Sequence, residues 1–452
     1  MGADDTESII SEGRGPSRVD WTLIVALDCQ VLTLCPESFS LAELGEVLIG
    51  RGSERTFSRT GPQARLELPD RWISQSHARL VRAGDGWSIV DEGSRNGTRK
   101  NGLRVTRDSL GDGDIVECGG TFLVMRRGGE AKPPPEAMAG RPEALRTLSP
   151  TLDRELEVLR KVARSGVPVL LLGQTGTGKE GTARAIHELS GREGPMVAVN
   201  CGAIPAPLIE SELFGSRRGA FSGAEDRSGL VRSADLGTLF LDEVAELPLA
   251  SQAALLRVLQ EKELLPLGAR RPINVDVRVV AATNRQVTEL VEEGKLRRDL
   301  YARLSGYELH LPPLCERLED LGLLIPTLIA RHDTSGVPRT LSRTAAWALF
   351  AHRWPLNIRE LEQCLSAAVA VAGPEIGLEH LPKTIREAGS APRDPAATSE
   401  RDHLLAVIES HGGNLSAVAR ALKTSRSQLY RLLVRHAIQP EEMKRLSPKP
   451  SL

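Results

Sequence analysis

The chain has 452 residues, enough for two to four domains, with 40% hydrophobic and 26% charged residues. That composition fits a soluble globular protein, and no apolar run reaches the ~18 residues of a membrane span. A net charge of −1 excludes a uniformly basic nucleic-acid binder, so any such contact must come from a local patch. Six scattered cysteines (Cys29, Cys35, Cys118, Cys201, Cys315, Cys364) form no metal-type pairs and read as reduced thiols of a cytoplasmic protein. The acidic, polar start MGADDTESIISEGRG does not read as a secretory signal.

Stretches rich in Pro, Gly and Ala divide the chain. The expected plan is a disordered tail over 1–17, an all-β domain over 18–127, a linker over 128–147 and an α/β domain over 148–386 whose helical part begins near 318. A second linker over 387–399, a helical domain over 400–438 and a tail over 439–452 complete it.

The first block has short alternating segments broken by Gly, Asp and Asn, an all-β pattern. It carries LIGRGSE around Arg51, ISQSHARL from Ile73, VDEGSRNGTRKNG from Val90, and LGDGDIVECG. A dianionic phosphate needs a fixed arginine, a hydroxyl and backbone donors on converging loops. Arg51 and Ser74 supply the first two. These strings resemble a forkhead-associated domain, which implies a β-sandwich whose loops bind phosphothreonine peptides. The resemblance implies that Arg51 and Ser74 hold the phosphate, and that Arg95 and Asn96 hold the peptide backbone and the residue after the phosphothreonine. Gln75 lies beside them where many relatives carry Arg, Lys or Asn, and His77 is expected to brace the loop.

In the second block, apolar strands such as Val167–Leu172 alternate with helical stretches, which predicts a parallel α/β sheet followed by helices. GQTGTGKE, comprising Gly173, Gln174, Thr175, Gly176, Thr177, Gly178, Lys179 and Glu180, lies between an apolar strand and a helix, the setting of a phosphate-binding loop. Its glycines let backbone N–H groups turn toward phosphates, and Lys179 adds a full charge. Glu180 stands where Ser or Thr would ligate magnesium. TLFLDE ends in Asp242, placed to hold Mg2+ through its water shell, and Glu243, placed to polarise the attacking water.

With ESELFGSRRGAFSGA, LLRVLQE, VRVVAATN, LRRDLYARL, LPPLCER and WPLNIREL following in order, the block resembles the AAA+ domain of sigma-54-dependent activators. The resemblance implies ATP as the nucleotide and sigma-54 RNA polymerase as the partner. GAFSGA (Gly219, Ala220, Phe221, Ser222, Gly223, Ala224) would touch sigma-54, with Ser222 where the family has Thr. Asn200 would pair with Glu243 and relay nucleotide state. Thr283 and Asn284 match the first sensor, and Arg359 the second, in a lid where Leu356 replaces the usual Gly. Arg297 and Arg303 match fingers that reach a neighbouring subunit's γ-phosphate, which implies a ring, by likeness a hexamer.

The third block, HLLAVIESHGGNLSAVARALKTSRSQLYRLLVRHAI, splits at GGN and KTS into three helical segments. Leu415, Val418, Ala419 and Leu422 share one helical face. The layout is helix-turn-helix and resembles the Fis-like domain of the same activators. Ser425, Arg426, Ser427, Gln428 and Arg431 are the expected contacts to upstream DNA. The whole reads as a phosphorylation-responsive, ATP-dependent transcription activator. Two other readings stay open: a DNA-binding regulator with a nucleotide-gated oligomerisation switch, and an AAA+ motor acting on another protein.

Overall fold

The computed structural model describes residues 20–128, 140–220, 225–390 and, near the C-terminus, 404, 407–408, 415–422, 429 and 433. The N-terminal part is a β-sandwich. One sheet orders its strands β2-β1-β12-β11-β8-β9, from Glu37–Ser40 (β2), Trp21–Asp28 (β1), Thr121–Arg127 (β12), Ile115–Cys118 (β11), Thr98–Lys100 (β8) and Leu103–Val105 (β9). The other runs β10-β7-β6-β3-β5-β4, from Arg107–Leu110 (β10), Gly86–Asp91 (β7), Ala78–Ala83 (β6), Glu46–Arg51 (β3), Gln63–Leu68 (β5) and Thr56–Thr60 (β4). Leu23, Val47, Ile49, Trp87, Ile89 and Leu123 fill the space between them.

The central part holds five parallel strands: Val169–Leu172 (β13), Met196–Asn200 (β14), Thr238–Asp242 (β15), Arg278–Thr283 (β16) and Tyr307–His310 (β17). Their order is β14-β15-β16-β13-β17. β13 and β16 are buried along their whole length, which is why they read as unbroken apolar runs rather than alternating ones. Helices α1 (Pro150–Ala163) and α2 (Lys179–Ser190) pack on the sheet through Leu152, Leu156, Leu159 and Ile186. The lid follows, with α3 (Leu321–His332), α4 (Arg343–Ala351), α5 (Asn357–Val371) and α6 (Lys383–Ala388).

Two features depart from a reading of separate beads on linkers. Residues 141–147 lie against the ATPase part: Leu145 and Thr147 are fully buried, and Arg141 bridges Asp153 at 2.6 Å and Glu157. Their apolar residues are too sparse to show a periodicity, so the segment looks like linker in sequence. The second departure concerns the sandwich. All eight residues of β1 are buried, whereas a sandwich strand facing water should alternate. Its outer face is covered by the lid. Ile24, Ala26, Ile115, Phe122 and Val124 share one core with Leu321, Ile325, Trp347, Phe350 and Leu361.

Phe122 stacks on Phe350 with ring centroids 5.0 Å apart and planes 4° apart. A Cβ on Gly322 would lie 1.6 Å from the Ala26 carbonyl oxygen, so only glycine lets α3 approach β1 this closely. The Leu341 N–H donates to the Cys29 carbonyl at 2.9 Å, and Arg343 pairs with Glu117, Nε to Oε1 at 2.9 Å.

The remaining C-terminal part is small. Leu404, Ile408, Val418, Ala419, Leu429 and Leu433 form their own cluster, with a helix over Leu415–Ala421. All six cysteines are free thiols. Among the described residues, no helix is long and apolar enough to cross a membrane.

Replacing Phe122 by Ala should lower stability by ~3–5 kcal/mol, the usual cost of emptying a buried aromatic site. Because the core is shared, denaturant melts followed by tryptophan emission should show sandwich and lid both weakened. A lid transition that stays at its parental midpoint would count against the shared core.

Candidate functional site

The loop 173–178 joins β13 to α2. Gly176 has φ 79°, and a Cβ there would lie 2.2 Å from the Leu356 carbonyl oxygen, so both dihedral and space require glycine. Thr177 is buried and closes the loop by donating from Oγ1 to the Gln174 carbonyl at 2.8 Å. Lys179 is 7% exposed, and its Nζ donates to the carbonyls of Gly173 at 2.8 Å and Gln174 at 3.3 Å. Burial lowers its pKa, against the opposing pull of Glu243 and Asp242.

β15 ends at Asp242, and Glu243 follows at φ 52°, a left-handed conformation uncommon for a non-glycine residue and often met at functional sites. Asp242 Oδ1 accepts the Glu243 N–H at 3.1 Å, and Glu243 Oε2 accepts the Asn284 N–H at 3.2 Å. Burial raises the Glu243 pKa, only partly offset by that N–H and by Lys179. Asn284 also donates from Nδ2 to Thr175 Oγ1 at 3.3 Å, and the Thr283 carbonyl accepts the Gly173 N–H at 3.3 Å. The C-terminal ends of β13, β15 and β16 therefore meet at the sheet edge where open α/β sheets bind ligands.

A cavity of about 810 Å³ opens there. Loop residues Thr175, Gly176, Thr177 and Gly178 line it with Lys179, Asn200, Asp242, Glu243 and Arg359, together with apolar Leu152, Leu156, Leu323 and Leu324. Glu180 also lines it, with a side chain 65% exposed and paired to Arg184 at 3.4 Å. The expected pairing of Asn200 with Glu243 is not formed. Asn200 Oδ1 instead accepts the N–H groups of Gly202 and Ala203 and caps the next turn, the local bond such a side chain favours. Glu243 is turned to Asn284.

Sequence reasoning missed Asn357. It is fully buried, at φ 56°, and its side chain ties the lid to the loop. Nδ2 donates to the Thr175 carbonyl at 3.0 Å and to Gln174 Oε1 at 3.3 Å, while Oδ1 accepts the Leu314 N–H at 2.7 Å. Its place before the lid arginine in NIREL was the available signal, because asparagine tolerates the left-handed region better than most residues. Leu356, in the usual Gly position, has φ −105° with an exposed side chain, so glycine is not needed there.

In the sandwich, the Arg51 N–H donates to the Ser74 carbonyl at 3.0 Å, and the Arg95 N–H donates to Ser74 Oγ at 3.2 Å. These bonds bring Arg51, Ser74, Gln75 and Arg95 to one end, with Arg51, Gln75 and Arg95 exposed. Asn96 Nδ2 donates to the Trp72 carbonyl at 2.7 Å. His77 is buried and accepts the Ser74 N–H on Nδ1 at 3.0 Å, the bracing contact of this loop. Gly50 was not singled out, yet a Cβ there would meet the Gln75 carbonyl oxygen at 2.1 Å.

Family models match in chain order: the FHA domain over residues 47–119, the Sigma-54 interaction domain over 145–310, the AAA+ ATPase lid domain over 315–398 and the Fis-family bacterial regulatory protein over 396–435. The chain is 40% identical over 311 residues to the transcriptional regulatory protein GlrR of Escherichia coli K12, covering 67% of this chain and 70% of GlrR. It is 40% identical over 320 residues to the regulatory protein AtoC of Escherichia coli K12, covering 66% of this chain and 68% of AtoC. The chain belongs to the sigma-54-dependent transcriptional regulators. It is also 42% identical over 344 residues to the acetoin catabolism regulatory protein of Cupriavidus necator, covering 71% of this chain and 51% of that relative, so it spans about half of that protein's length.

This sigma-54-dependent regulator thus carries an FHA sandwich, an AAA+ ATPase domain with its lid and a Fis-type helix-turn-helix segment. Arg297 and Arg303 do not line the cavity. Both are exposed at the helix Arg298–Leu304; Arg297 pairs with Asp299 at 2.7 Å, and Arg303 donates to the Leu259 carbonyl at 3.3 Å. Of the GAFSGA string, Gly219 and Ala220 are described, with Ala220 N–H bonded to the Arg217 carbonyl at 3.0 Å. Phe221, Ser222, Gly223 and Ala224 lie outside the described residues, as do Ser425, Arg426, Ser427, Gln428 and Arg431.

Asn357→Ala should weaken binding of a fluorescent ADP analogue and lower stability by ~1–3 kcal/mol, because it orphans the buried Leu314 N–H. Asn357→Gly keeps the left-handed backbone accessible and separates strain from lost hydrogen bonds. Parental nucleotide affinity in both variants would remove Asn357 from the site.

Proposed function

We propose that this regulator hydrolyses ATP in the cavity beneath its lid and uses that reaction to remodel sigma-54 RNA polymerase at promoters. Its Fis-type segment would anchor it to upstream DNA, and phosphothreonine recognition by the FHA domain would govern it. The observation that carries the reading is that Lys179, Asp242, Glu243 and Arg359, far apart in sequence, line one cavity.

The chemistry follows from those residues. Loop N–H groups and the N-terminus of α2 favour phosphate, and Lys179 neutralises its charge. Glu243 accepts the proton of the attacking water; its raised pKa makes it a better base than an ordinary carboxylate, and the Asn284 N–H fixes its orientation. Arg359 meets the phosphates from the lid side, and Thr283 and Asn284 sense them through Gly173 and Thr175. Exposed Arg297 and Arg303 have no substrate in their own subunit, so they would serve a neighbour's site in a ring, by family likeness a hexamer. The donor set fits a magnesium ion carried on the substrate's phosphates. Asp242 would hold it through water, and, among the described residues, no group of three or more metal-ligating side chains replaces phosphate and water as its main ligands. Such an ion supplies charge neutralisation during phosphoryl transfer. The loop 219–224 would deliver the movement to sigma-54, and residues 425–431 would read DNA.

In transcription assays with purified sigma-54 RNA polymerase, open complexes should form with ATP and not without it. Glu243→Ala should bind ATP normally and lose hydrolysis and transcription, by roughly 100-fold or more for loss of a general base. Transcription that proceeds without ATP would end this reading.

Arg51→Ala combined with Ser74→Ala should abolish capture of phosphothreonine peptides, measured by fluorescence anisotropy. Undiminished capture would place the peptide elsewhere.

A further inference from the structure

The turn Arg317–Asp320, where the ATPase sheet passes into the lid, contains three charged side chains that are almost completely buried. Arg317, Glu319 and Asp320 are 6%, 0% and 2% exposed. Each reaches a different part of the molecule. Arg317 donates to the Thr177 carbonyl of the phosphate loop at 2.7 Å. Asp320 accepts from Thr147 Oγ1 at 2.8 Å, on the segment that leads into the ATPase part. Glu319 is held by Arg126 of the FHA sandwich, Nε to Oε1 at 2.9 Å, in a two-pronged pair whose second nitrogen also reaches the Glu316 carbonyl.

Buried charges persist only when balanced, because removing one partner leaves the other uncompensated in low dielectric. Here two cations, Arg126 and Arg317, face two anions, Glu319 and Asp320, and Arg317 Nη1 lies 3.7 Å from Asp320. The balance is completed by a residue 193 positions away from Glu319, in the sandwich. If Arg126 is lost, Arg317 becomes the sole cation facing two carboxylates and is drawn away from the Thr177 carbonyl.

We propose that Arg126 is a positioning residue of the nucleotide site: by neutralising Glu319 it keeps Arg317 on the phosphate loop, so the FHA sandwich completes the ATP-binding geometry of the ring subunit that carries it. This rests on the cavity being the nucleotide site.

The test uses the full chain and a fluorescent ADP analogue. Arg126→Ala should bind it roughly tenfold more weakly, within the usual span of coupling between sites. The KM for ATP should rise in step while kcat at saturating ATP stays near the parental value. Arg126→Ala combined with Glu319→Gln removes the pair and the uncompensated charge together, and should recover most of the lost affinity. A merely structural role predicts the reverse, with the double variant at least as impaired as the single one; that result overturns the proposal. Unchanged affinity in Arg126→Ala, with the parent binding normally, overturns it alone. A parent chain that fails to bind the analogue overturns it together with the nucleotide-site reading.

Discussion

The ATPase centre depends on a tight backbone loop whose shape is held from outside. A chain that curls around phosphates must present N–H groups to the ligand, so it cannot satisfy them internally, and its own strand and helix anchor only its ends. In this molecule the lid supplies the missing restraint. Asn357 donates to the Thr175 carbonyl, Ile358 N–H to the Gly176 carbonyl, and Arg317 to the Thr177 carbonyl. Three successive loop carbonyls are thus taken by lid-side donors, which leaves the opposite side of the loop free for phosphate. Lid position and loop shape become one variable, and Arg359 reaches the same cavity from the same helix.

The sandwich extends that logic. Its β1-β12-β11 face is buried against α3 and α4 by an apolar core, with the Arg126–Glu319 and Arg343–Glu117 pairs beside it. At the far end of β12, Asp70 Oδ2 accepts from Gly120 N–H at 2.6 Å and Thr121 Oγ1 at 3.1 Å, while its Oδ1 accepts the Trp72 N–H at 2.8 Å. The Trp72 carbonyl in turn holds Asn96. β12 therefore connects the loops around Trp72 and Asn96 to Arg126, which meets the lid.

The residues read from sequence fall into two groups. Gly173–Lys179, Asp242 and Glu243 were legible because their chemistry depends on local order: a strand, a glycine-bearing turn, a helix and a strand end. The bracing role of His77 was legible for the same reason, since its Nδ1 accepts the N–H of Ser74, three positions earlier. The Asn200–Glu243 pairing was not, because the Asn200 side chain had a local capping bond available and took it. Nothing in LPPLCERLED reveals that Arg317, Glu319 and Asp320 are all buried.

By itself the sequence determined the three kinds of domain and the loop and strand-end residues that line the cavity, because strand periodicity, glycine-bearing loops and caps act over a few residues. Only the tertiary structure decided that the sandwich and the lid share a core, that residues 141–147 belong to the ATPase part, and that a buried charge in one part is balanced from another. Those outcomes depend on which apolar faces find each other and on desolvation of charges far apart in the chain, and neither leaves a periodic mark in the sequence.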